Sequence, residues 1–246
     1  MPIVYLRGLT GRERSRAANR ELGHYLAFVA GAVNAGGLLV VGQYTSHMTG
    51  ITSAMADNLT AGEVRLMLAG MGAVVAFMAG AGATAAMVNW GRRRSHESEY
   101  ALALMVEAAL LVCFGLVGAH LEHDDHWLVP AAVSLLCFTM GLQNAIITKI
   151  SRAEIRTTHV TGMVTDIGIE LGKMLYWNRR EGAPEVAADW DKLRLLSSLV
   201  GVFFLGGVIG SLGFRWVGFV SVFPLALLLV VLAIVPLLDD ARKGAE

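Results

Sequence analysis

Charge is what this chain has least of. Asp, Glu, Lys and Arg make up only 16% of its 246 residues, against about a quarter in soluble domains. Acids and bases balance to a net charge of zero, and the basic residues form no stripe on a soluble fold. That disfavours a nucleic-acid partner. Only two cysteines occur, Cys113 and Cys137, both inside apolar runs, where thiols read as small buried hydrophobes and not as a disulfide framework. No small-residue cleavage site follows the first apolar run, so the arginine-rich start does not read as a cleaved signal peptide. Enzyme signatures are missing too: there is no Gly-x-Ser-x-Gly, no His-Glu-x-x-His, no phosphate loop and no dinucleotide fingerprint. The sequence therefore predicts a protein that is not an enzyme and that carries no cofactor and no metal.

What is there is hydrophobic. Apolar residues make up 55% of the chain, the mean hydropathy is +0.56, and charges cluster in islands between apolar runs of roughly twenty residues. Six spans are predicted, over 22–42, 65–90, 100–121, 127–149, 192–214 and 217–238. Two Thr-rich segments, 43–64 and 150–176, are too polar to be ordinary spans. Residues 1–21 read as a basic cytoplasmic arm, 178–191 as a charged linker and 239–246 as a tail. Placing the N-terminus in the cytoplasm puts 18 of the 20 basic residues on that side, as the positive-inside rule favours. Both termini are then cytoplasmic.

The chain also repeats itself. Gly31-x-x-Asn34-Ala35 returns as Gly141-x-x-Asn144-Ala145, and Thr45-x-His47-x-Thr49-Gly50 as Thr157-x-His159-x-Thr161-Gly162. Phe77-x-x-Gly80 answers Phe203-x-x-Gly206. With three spans per half, the two halves enter the membrane from opposite sides. The expected fold is all-α: a first repeat over 22–121, a second, inverted repeat over 127–238, and in each a polar re-entrant or broken half-helix. Such segments survive at membrane depth only where protein or water surrounds them, and inverted repeats with broken helices recur in transporters.

Those same residues, the Gly-x-x-Asn-Ala starts, His47-Met48-Thr49-Gly50 and the run from Arg156 to Gly162, resemble the YoaK-like family. That family groups bacterial inner-membrane proteins under a domain of unknown function. The resemblance covers nearly the whole chain and implies a multi-pass location in the bacterial inner membrane. Many members carry an Asp and an Asn where this chain has Asn34 and Ile51.

Helix N-termini offer unpaired N–H groups and about half a positive charge. Two facing each other would cradle an anion. The candidate ligand-binding residues are Thr45, His47, Thr49, Gly50, Asn34, Gln143, Asn144, Thr157, His159, Thr161 and Gly162. The structural alternative is that the threonines cap half-helices and the glycines allow helices to cross closely. Glu107, alone among apolar neighbours in the third span, reads as a coupling or gating group. Asp57, Asp166 and Glu170 read as vestibule charges. His120, Glu122, His123, Asp124, Asp125 and His126 read as a solvated loop before a metal cluster. Gly206 and Gly210 have a spacing that suits packing inside the protomer or in a homo-oligomer. The expected function is a transporter or channel for a small polar or anionic solute or ion, with proton coupling as an option. The alternative is a non-transporting membrane sensor or assembly protein.

Overall fold

The computed structural model describes residues 2–11, 14–94, 98–121, 129–151, 155, 157–177 and 185–243. Among these the chain is helical throughout, with no strand. The helices are α1 (Pro2–Thr10), α2 (Arg16–Val41), α3 (Met48–Thr60), α4 (Val64–Arg93), α5 (Ala101–Leu121), α6 (Val129–Ile150), α7 (Val160–Leu175), α8 (Trp190–Val217) and α9 (Val222–Lys243). Five stretches are long and apolar enough to cross a membrane: 16–39, 64–93, 101–118, 129–150 and a 53-residue run from 190 to 242. A bilayer core takes about 20 helical residues, so the last run has twice the length of one crossing. It breaks at Gly218, whose φ of 62° and ψ of −143° fall in a region that glycine alone enters readily. A single 3-10 turn, Gly218–Ser221, then leads into α9.

Close crossings hold the bundle together. A methyl group at Gly31 of α2 would sit 2.0 Å from the Phe203 carbonyl oxygen of α8; one at Gly206 of α8 would sit 2.1 Å from that of Phe28 in α2. The helices touch backbone to backbone. Further along, Gly210 meets Ala32 and Gly36 meets Phe214, so α2 and α8 run parallel. The same contact recurs between α4 and α6. A methyl group at Gly80 would sit 2.0 Å from the Phe138 carbonyl oxygen and one at Gly141 2.0 Å from that of Phe77, while Thr84 donates its hydroxyl to the Leu142 carbonyl at 3.0 Å. Four Phe-x-x-Gly copies, at Phe28, Phe77, Phe138 and Phe203, make these crossings, and each meets one from the other half of the chain. Of these, only the pair on α4 and α8 was matched from sequence alone; the pair on α2 and α6 sits at the same offset as the Gly-x-x-Asn-Ala signatures. Helices α5 and α9 fill the remaining side and run antiparallel, with Gly115 against Phe223 and Gly118 under the Phe219 ring.

The arm expected over residues 1–21 is not loose. Residues 16–21 are the first turns of α2, capped by Ser15, whose hydroxyl accepts from the Ala18 N–H at 3.1 Å. Helix α1 lies on α9 with Leu9 and Thr10 buried. Pro236 explains the dock. It has no N–H, so the Leu232 carbonyl one turn earlier lacks its helical donor, and the Thr10 hydroxyl donates to it at 2.7 Å. Arg7 adds a two-pronged pair to Asp239 at 2.6 and 2.8 Å. Nearby, Arg92 donates to Glu99 at 3.0 Å and to the Tyr100 hydroxyl at 2.6 Å, and the Arg14 guanidinium stacks 4.2 Å from the Tyr100 ring centre. Charge collects at this end of the bundle because water can reach it.

Candidate functional site

Helices α3 and α7 are short, 13 and 16 residues. At 1.5 Å per residue they reach about 20 and 24 Å, less than the roughly 30 Å hydrocarbon core. Their starts are alike. The cap is a histidine in each, His47 at φ −93°, ψ 68° and His159 at φ −87°, ψ 55°, and neither imidazole bonds back to its helix. This corrects the expectation of threonine caps. Thr45 and Thr157 are instead fully buried, with hydroxyls that have no hydrogen-bond partner; Thr49 and Thr161 sit in the first turns.

The repeated spacing His-x-x-Gly has a steric reason. A methyl group on Gly50 would lie 2.1 Å from Cδ2 of His47, and one on Gly162 would lie 2.3 Å from Nδ1 of His159. Each ring folds over the glycine three residues on. Gly50 and Gly162 were named as ligand-binding candidates; in the structure an imidazole lies over each of them.

Both helix starts open on one cavity of about 710 Å³. It is lined in matched pairs: Asn34 with Asn144, His47 with His159, Thr49 with Thr161, Ser46 with Thr158, and Phe77 with Phe203. Among the described residues no carboxylate, lysine or arginine lines it. The polarity comes from amides, hydroxyls, imidazoles and the N–H ends of two helices, which favour negative charge without fixing a full positive one. Asn34 also braces the fold. Its side-chain oxygen accepts from the Ser46 N–H at 3.2 Å and hydroxyl at 2.9 Å, tying the entry of α3 to α2. A second, apolar hollow of about 630 Å³ adjoins along α2 and α8 and shares Asn34, Tyr44 and Phe203 with the first.

Of the residues singled out from the sequence, Asn34, Asn144, His47, His159, Thr49 and Thr161 meet at this cavity. Gln143 does not. It is fully buried beside Glu107 of α5, one position from Asn144 but on another face of α6. Phe77, Phe203, Ser46 and Thr158 were missed as site residues, although the Phe-x-x-Gly match and the register of the repeat both pointed to them. The acids on the short helices behave as an anchor. Lys192 lies 3.4 Å from Asp166, and Glu170 accepts from the Asp189 N–H at 2.9 Å and from Lys173 at 3.0 Å. That N–H, then the Lys173 ammonium, hold the Glu170 carboxyl below its ordinary value. Asp57 is exposed.

Among the described residues no group of three or more His, Cys, Asp or Glu is placed to hold a metal ion. Of the predicted solvated loop, residues 122–126 lie outside the described residues, as does the side chain of His120. Compared with known families, residues 22–235 match the one described as "Protein of unknown function (DUF1275)". The chain belongs to the DUF1275 family. The match runs from α2 into α9 and so takes in both short helices and the whole cavity lining. Neither the curated proteins nor the solved structures gave a match.

Proposed function

We propose that this DUF1275 member is a six-span protein of the bacterial inner membrane, built as two inverted repeats, whose central cavity binds and passes a small polar or anionic solute. One observation carries the reading: the N-termini of α3 and α7, equivalent segments of the two halves, open on the same cavity. Helix directions agree with it. Parallel α2 and α8, the matching α4 and α6 crossing, and antiparallel α5 and α9 are what six alternating crossings with both termini on one side require. In this arrangement α3 enters from one side of the bilayer and α7 from the other, and they meet near its middle.

A bound solute would turn its negative or acceptor end to the open N–H groups and to Thr49, Thr161, Asn144 and the two histidines. The described lining is polar but uncharged, which suits a site that must release what it takes up. Phe77 and Phe203 wall the cavity beside the helix crossings. Water-filled depth also accounts for Thr-rich helices in a chain this apolar.

The test is thermal unfolding of the purified protein across small inorganic anions, organic acids, organic bases and metal salts, beside Thr49→Val/Thr161→Val. Ligand at about a hundred times its dissociation constant adds about 2.7 kcal/mol. One chemical class should stabilise the wild type and leave the double variant unmoved. If no class shifts either protein, the reading fails and a non-transporting sensor or assembly protein takes its place.

A further inference from the structure

Glu107 is the one acidic side chain that α5 carries, and it is wholly buried. By hydrogen-bond geometry neither of its carboxyl oxygens is paired, and neither is the amide nitrogen or oxygen of Gln143, although the two side chains lie close enough to interact. Four unsatisfied polar atoms side by side in a membrane bundle are costly. An unpaired carboxylate is unfavourable there, and so is each orphaned neutral group. Among the described residues no cation is paired with them. The helices packed on α5 are α4, α6 and α9. Their ionisable side chains are Arg65, Arg92 and Arg93 on α4, Cys137 and Lys149 on α6, and Asp239, Asp240, Arg242 and Lys243 on α9. All but Cys137 sit near helix ends, and Lys149 is about 9 Å further along α6 than Gln143. On α5 itself only Cys113 and His120 remain.

We infer that Glu107 and Gln143 form a proton-binding site. Donor and acceptor arithmetic selects the proton over another ion. A carboxylate can accept from the Gln143 NH2 group but then turns its other oxygen towards the Gln143 carbonyl, acceptor against acceptor. A carboxylic acid donates its O–H to that carbonyl and accepts from the NH2 group, satisfying both residues in one reciprocal pair. A sodium ion would need about half a dozen oxygen ligands, whereas the carbonyls of α5 and α6 are engaged in their helices. Loading transfers a proton from hydronium to the carboxylate and leaves water; unloading reverses it.

The site also stands outside the repeat. The position matching Gln143 in the first half is Val33, and α9 has no ionisable residue before Asp239. A fold that needed this pair would have it twice. Gln143 and Asn144 are consecutive, about 100° apart around α6, so the turn of α6 that presents Asn144 to the cavity also sets the distance from Gln143 to Glu107. The proton site rests on the surroundings of the carboxyl, so it holds whether or not the cavity passes a solute.

Infrared spectroscopy of the purified protein tests it without any added ligand. The wild type should show a deuterium-sensitive carboxylic-acid carbonyl band in neutral and mildly alkaline buffer, absent from Glu107→Gln. Gln143→Leu should shift that band to the higher frequency of an unbonded acid while Glu107 stays in place. If Glu107→Gln has the wild-type spectrum, or if Gln143→Leu leaves the band where it was, the site is overturned. Should Glu107→Gln fail to fold, the Gln143→Leu shift decides alone.

Discussion

Gly206→Ala is the sharpest test of how these helices cross. The new methyl carbon would stand 2.1 Å from the Phe28 carbonyl oxygen and 2.9 Å from its carbon. A carbon–oxygen contact relaxes at about 3.3 Å, so α2 and α8 must part by about 1.2 Å there. No rotamer change can help, because the obstacle is backbone. Overpacking of this kind costs about 1–3 kcal/mol, and separation also forfeits dispersion contacts along the shared face. Gly201, five residues earlier on the same helix, is the matched control: nothing lies within 4 Å of a methyl group placed there. Gly201→Ala should gain up to about 1 kcal/mol from helix propensity. The same propensity gain applies at Gly206 and cancels, so the two variants should differ by the overpacking cost, about 2 kcal/mol, on the order of 4–8 °C in the midpoint for a chain of this size. Thermal unfolding in one detergent, followed by circular dichroism, measures the difference. Gly80 with Gly82 on α4 provides a second pair of the same kind, since Gly82 is also free of neighbours. Equal midpoints for Gly201→Ala and Gly206→Ala would refute the backbone contact.

Two further outcomes follow from the site. Gly50→Ala should destabilise by about 1 kcal/mol because the His47 ring must leave its rotamer, yet in a His47→Ala background the same change should stabilise through helix propensity. A double-mutant cycle reads this directly, and an identical effect in both backgrounds would remove the ring-over-glycine contact. Glu170 is held below its ordinary value of 4.5 by the Asp189 N–H and Lys173. A depressed carboxyl contributes stability that is present above its unfolded value and lost as pH falls through the folded one. The wild-type midpoint should thus fall more steeply below about pH 4.5 than that of Glu170→Gln; parallel curves would show that the anchor contributes nothing.

Some of this was legible in the order of residues. Thr-x-His-x-Thr-Gly and Gly-x-x-Asn-Ala identify equivalent positions because duplication copies local chemistry, and six of the eleven named ligand-binding candidates do line one cavity. Glu107 announced itself by burial alone, since a lone acid in an apolar run has few places to go. Phe28-x-x-Gly31 and Phe138-x-x-Gly141 were equally visible as copies of the motif on α4 and α8. They do not stand out because a glycine among alanines does not say what it touches.

By itself, then, the sequence determined the helices, their apolar character and the internal equivalence of α3 with α7, all properties of neighbours along the chain. Tertiary structure alone decided three other matters. Gly50 and Gly162 make room for the His47 and His159 rings. Gln143 turns to Glu107 while Asn144 turns to the cavity. The N-terminal stretch docks through Thr10 on a carbonyl that Pro236 leaves open. The reason is common to all three: what a side chain does depends on which face of its helix meets which partner. In the last two the partner lies tens to hundreds of residues away; for the glycines it is three residues away but reached only through a ring orientation that spacing does not specify.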